Sequence, residues 1–145
     1  MTAPSSINPH AMPGEVFVFG SNLAGRHGKG AALDAMRHWG AIRGCGVGLQ
    51  GRAYAIPTKD AKLIPLPLDA IEKHVEVFKA FAAANPDTLF RLTPIGTGLA
   101  GYAHEEIAPL FAGCPGNVML PLQWLPGGLF NIRREPDDDS VIVES

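Results

Sequence analysis

The sequence predicts an α/β fold, a layered sheet with helices packed on its faces. Three observations carry this. Short apolar runs rich in β-branched and aromatic residues alternate with longer stretches of helical periodicity. Apolar runs end in glycine loops or polar turns. The order strand, loop, helix then recurs along the chain without a repeat at solenoid spacing.

The elements follow in order. Residues 15–19 (EVFVF) read as a buried strand that stops at Gly20-Ser21-Asn22. A loop containing Gly25, Gly28 and Gly30 leads to a helix over 31–39, rich in alanine with Leu33, Met36 and Trp39 as its apolar residues, and Gly40 stands where a helix C-cap belongs. Residues 41–52 are again glycine-rich and read as loop. A strand over 53–57 ends at Thr58-Lys59-Asp60. Past a proline-punctuated connection, residues 69–84 carry Ile71, Val75, Phe78 and Phe81/Ala82 on one helical stripe, stopped by Asn85-Pro86. A strand over 88–95, the glycine loop 96–101, a helix over 103–111 and a strand over 117–122 complete the pattern. Residues 1–14 hold three prolines and read as a loose arm, so the core is 15–125. The extension 126–145 offers one edge strand at 140–143 and an acidic turn or tail at 137–139.

Bulk properties exclude several classes. A chain of 145 residues suits one domain, and 46% hydrophobic residues suffice for a core. Twelve Lys and Arg against 14 Asp and Glu give a net charge of -2, so no basic excess marks a general nucleic-acid binder. Cys45 and Cys114 cannot form a disulfide framework, have no second ligand cluster beside them, and read as buried thiols. Residues 1–14 lack the pattern of a signal peptide, and no apolar run approaches the ~20 residues of a membrane span. A cytoplasmic protein without membrane contact is expected.

In open α/β sheets, ligands sit beyond the carboxyl ends of the strands. Three stretches there carry unusual chemistry: 20–30, 58–60 and 96–101. Backbone without Cβ approaches a ligand closely, and successive N–H groups ahead of a helix can point at phosphate oxygens. Two such loops suit the two phosphates of one diphosphate. The alternative is that these glycines only make tight turns. Loop 20–30 is not a Walker A loop, because Gly28-Lys29-Gly30 is followed by Ala31. Nor is it a dinucleotide fingerprint, because Leu33 occupies the third glycine position.

These residues together resemble the macro-domain family. Phe19-Gly20-Ser21-Asn22 resembles its first strand with a ligand-facing Asn. Gly28-Lys29-Gly30-Ala31-Ala32 resembles the glycine loop of the branch that removes ADP-ribose from carboxylate side chains or DNA bases. Tyr54-Ala55-Ile56-Pro57-Thr58-Lys59 resembles that branch's Thr-Lys strand, and Pro94-Ile95-Gly96-Thr97-Gly98-Leu99-Ala100-Gly101 its phosphate loop. The resemblance covers 15–122. It implies a three-layer α/β/α fold with a mixed central sheet, and ADP-ribose or a related nucleotide in a cleft. ADP-ribosylated DNA or protein is the implied substrate, with no cofactor and no metal. Lys59 would act at C1 of the distal ribose and Asn22 would orient that ribose. Gly20, Ser21, Gly28, Gly30, Ala31, Thr58, Gly96, Thr97, Gly98, Leu99, Ala100, Gly101 and Tyr102 would bind the ligand. The chain departs from the pattern where family hydrolases carry an Asp: here stand Ala32 and Ala100. The adenine-binding Asp of the family also has no counterpart, since residues 1–33 contain no Asp.

Single residues keep two readings at this stage. Lys59 is a surface lysine at a strand end or, with its pKa lowered by burial, a base or nucleophile. Asp60 is a helper acid/base or a turn former. His27 meets a phosphate or ribose, or is a loop histidine. Tyr102 closes over the ribose or packs in the core. His38 and His74 read as surface residues, Trp39 and Trp124 as core. His104 beside Glu105 and Glu106 suggests a metal cluster, but adjacent helical positions do not share a face, so helix N-terminal charge is the better account. Three functions compete: a glycohydrolase, a binding-only reader or scavenger of ADP-ribose-like nucleotides, and an interaction module that has lost its site.

Overall fold

The computed structural model describes residues 14–98 and 100–124. The acidic turn or tail expected at 137–139, the edge strand expected at 140–143, and all of the arm except Gly14 lie outside them. The chain forms an α/β fold around a five-stranded mixed sheet. Strands β1 (Glu15–Asn22), β2 (Gly48–Gln50), β3 (Ala53–Lys59), β4 (Leu89–Leu92) and β5 (Val118–Met119) are arranged in the order β2-β3-β1-β4-β5. Strand β1 pairs in parallel with both β3 and β4, β4 with β5 likewise, and β2 runs antiparallel to β3.

Side-chain alternation along β1 divides the core in two. Val16 and Val18 face one side with Tyr54 and Ile56, where they meet Ile71, Val75, Phe78 and Ala82 of α2 (Leu68–Ala84). Phe17 and Phe19 face the other side with Ala53 and Ala55, against Ala32 and Ala35 of α1 (Gly30–His38). Both faces are thus covered, as a parallel sheet requires. The alanine-lined face lets α1 lie close, and the Phe17 ring stacks on Trp39 with centroids 5.0 Å apart. The larger core centres on Phe78, whose ring contacts Tyr54, Phe90 and Phe111.

The structure amends several expectations. Residues 48–50, read as loop, form β2. Leu49 pairs with Tyr54 across a two-residue turn at Gly51-Arg52, and that short glycine turn was the available signal. The strand expected over 88–95 stops at Leu92, because Pro94 has no N–H for a ladder. The helix expected over 103–111 divides into α3 (His104–Ile107) and a 3₁₀ turn (Ala108–Phe111) at Pro109. The strand expected over 117–122 shortens to β5, ahead of Pro121. Both cysteines are half-buried free thiols rather than buried ones. Burial pushes the Cys114 thiol's pKa up, against an opposing pull from Lys79. His74 is half-buried, whereas His38 is exposed and 3.7 Å from Asp34. Among the described residues, no helix is long and apolar enough to cross a membrane.

Phe78 is fully buried and Val77, its neighbour on α2, is 59% exposed. Phe78→Ala is expected to lower unfolding free energy by about 3–5 kcal/mol. Val77→Ala should change it by less than about 0.5 kcal/mol. Urea unfolding followed by circular dichroism measures both.

Candidate functional site

Strand β1 is central, and its neighbours β3 and β4 lie on opposite sides. The chain leaves β1 toward α1 on one face of the sheet. It leaves β4 toward α3 and Phe111 on the other. The ends of β1 and β4 therefore diverge, which opens a crevice of the kind that holds ligands in doubly wound sheets. A cavity of about 620 Å³ occupies that place. The segments around Asn22, Lys59 and Gly98 all line it.

The polar side chains at the end of β1 serve the loops. Ser21 is buried, and its hydroxyl donates to the Gly46 carbonyl at 2.5 Å. Asn22, 6% exposed, donates from Nδ2 to the Arg26 carbonyl and accepts the Arg26 amide on Oδ1, both at 2.9 Å. Its carboxamide thereby closes the turn that launches the glycine loop, and one Nδ2 hydrogen is left over. His27 does not line the cavity, and its ring is anchored. It is 2% exposed, edge-on to Phe19, and its Nε2 lies 2.9 Å from the Ile42 carbonyl and 3.1 Å from that of Cys45. Two carbonyls at one nitrogen require the proton there, so the glycine loop is fastened to residues 42–45 and Nδ1 has no partner.

Helix α1 begins at Gly30 with no side-chain cap, and no acidic residue occupies its first turn. The Lys29 carbonyl accepts the Leu33 amide, but the amides of Gly28, Lys29, Gly30, Ala31 and Ala32 have no acceptor among the described residues. Residues 28–32, which carry these orphan donors and the positive end of the helix dipole, all border the cavity. Across the crevice, the loop after β4 folds on itself. The Thr97 hydroxyl donates to the Pro94 carbonyl at 2.7 Å, and the Tyr102 amide to the Gly96 carbonyl at 2.9 Å. Gly96 has φ 77°, and a Cβ there would lie 2.9 Å from Ile107 Cδ1, so only glycine fits. A Cβ at Gly98 would meet nothing within 4 Å.

Strand β3 contributes Thr58, whose hydroxyl donates to the Ser21 carbonyl, and the half-buried Lys59. Asp60 is a turn former: its Oδ1 accepts the Lys62 and Ile64 amides at 2.8 and 3.0 Å. Three cationic side chains, Arg26, Lys29 and Lys59, line the cavity, and no carboxylate does among the described residues.

Of the expected ligand contacts, Gly20, Ser21, Asn22, Gly28, Gly30, Ala31, Thr58, Lys59, Gly96, Thr97, Gly98 and Ala100 line this one cavity. Gly101 and Tyr102 do not. The Tyr102 ring packs against the larger core and its hydroxyl donates to the Leu66 carbonyl at 2.6 Å. Leu99 lies outside the described residues. Sequence reasoning did not single out Arg26 or Leu63, which also line the cavity. Arg26 sits between two loop glycines, a position that invites suspicion; Leu63 carries no pattern at all. No group of three or more His, Cys, Asp or Glu side chains able to hold a metal occurs among the described residues. His104 instead accepts the Trp124 indole N–H on Nδ1 at 2.8 Å.

In comparison with known proteins, no family model, no curated protein and no solved structure matches this chain.

Gly96→Ala is expected to cost at least about 1–2 kcal/mol of stability through its left-handed backbone alone. Gly98→Ala should stay within about 0.5 kcal/mol of the parent. Thermal unfolding of the two variants side by side distinguishes the buried glycine from the cavity-facing one.

Proposed function

We propose that this chain is a macro-domain-type module that binds ADP-ribose or a close relative in the cavity. On this reading it is a glycohydrolase that releases ADP-ribose from a modified nucleobase or side chain. One observation carries the proposal. A protein of net charge -2 has a cavity lined by three cationic residues and no carboxylate among the described residues, and the residues with unpaired amides at the start of α1 border it. Such a lining favours a ligand with concentrated negative charge, and a diphosphate spanning the two loops fits it. The sequence resemblance then supplies the rest of the ligand.

In the proposed reaction the bond between C1 of the distal ribose and the leaving atom breaks. Water gives its hydroxyl to C1 and its proton to the leaving group. Lys59 stands at the reacting carbon, and the remaining Nδ2 hydrogen of Asn22 meets a ribose hydroxyl. A binding-only module is the second reading. It is favoured by the lack of a lining carboxylate among the described residues, since general acid–base catalysis needs a group to move that proton.

Titration calorimetry with ADP-ribose tests the site. Binding is expected, and it should weaken severalfold as salt is raised from low to high, because the cations are partly solvent-screened. No heat and no thermal shift at millimolar ligand would sink the proposal. Release of ADP-ribose from modified DNA or protein separates the two readings. For a glycohydrolase, Lys59→Ala should reduce turnover by roughly 100-fold or more while ADP-ribose still binds. A wild-type chain that binds but releases nothing is the binding-only module.

A further inference from the structure

Beyond Lys59 the chain makes a tight turn. The Asp60 amide donates to the Ile64 carbonyl at 2.8 Å and the Leu63 amide to the Asp60 carbonyl at 3.0 Å. The Asp60 carboxylate caps the turn from inside, and Pro65 comes back alongside Lys59. Leu63 is the sole non-glycine residue with positive φ among the described residues, at 68°. A leucine there is strained, whereas glycine or asparagine would adopt the same backbone at lower cost. Its side chain is 38% exposed and lines the cavity on the side of Lys59. Stability alone does not account for a strained, partly exposed leucine at that point. Strain held at a cavity wall is a pointer to recognition.

We propose that Leu63 is a specificity-determining residue that packs against the flat face of a planar heterocycle bonded to C1 of the distal ribose. This rests on the nucleotide reading above. The phosphates and ribose engage amides and cations, which say nothing about what the ribose carries. Leu63 is the large apolar side chain on the Lys59 side of the cavity, so it discriminates a planar apolar group there from a hydroxyl.

The test compares ADP-ribose, which has a hydroxyl at C1, with NADH, which has a neutral and nearly flat dihydronicotinamide there. The neutral ring avoids repulsion from the lining cations. Leu63→Asn keeps the size and suits the left-handed backbone. It should weaken NADH binding about tenfold and leave ADP-ribose within about twofold, as read by calorimetry. Its Tm should equal or exceed that of the parent. Leu63→Gly should give the same split, and Leu63→Met should retain NADH affinity. Equal loss for both nucleotides, or no loss for either, overturns the role of Leu63 while leaving the site reading intact. If the unaltered chain binds neither nucleotide, both fall together.

Discussion

The structure depends on the double pairing of one strand. Strand β1 is hydrogen-bonded in parallel on both sides, to β3 and to β4, and its side chains are buried on both faces. A strand in that position cannot be reached by hairpins. Each parallel neighbour needs a crossover, and here α1 lies on one face of the sheet while α2 and α3 lie on the other. The gap between the ends of β1 and β4 follows from this routing and not from any side chain lining it. The site is a topological consequence before it is a chemical one.

The two ends of β1 are finished differently. At its start Glu15 is fully buried and paired with Arg91, while the Arg52 Nε donates to the Glu15 carbonyl at 3.0 Å. A buried carboxylate must be paired in this way, and removing one partner from such a pair is strongly destabilising. At its finish the strand carries Gly20, Ser21 and Asn22. Their polar groups bind loop backbone, and the Gly20 position brings the loop after β4 close: a Cβ there would lie 3.2 Å from Ile95 Cβ. Charge fixes one end and close backbone approach shapes the other.

The parts legible in the sequence are those with a clean period. Ile71, Val75, Phe78 and Ala82 announced α2, and EVFVF announced β1. What escaped was structure held by tertiary contact. Strand β2 has three residues, one of them glycine, and exists because β3 offers an edge. Proline positions 94, 109 and 121 shortened elements whose apolar runs continued past them. At the site, the glycine loops were readable because the glycines gather at discrete loops between the periodic segments. His27 was not, since a histidine between glycines looks mobile until its ring is seen under Phe19. Tyr102 kept two readings for the opposite reason: it follows a loop whose Gly96, Thr97, Gly98 and Ala100 line the cavity, but its ring turns to the core.

The unpaired amides at the start of α1 have an uncommon property. Their donors belong to peptide bonds, so changing a side chain there leaves the donor in place provided the backbone holds its course. A conventional residue-by-residue truncation scan would pass over this rim almost in silence. Replacing single peptide linkages by esters would delete the hydrogens themselves. Such a surface can also tolerate wide drift in residue identity, since its chemistry is written in the main chain.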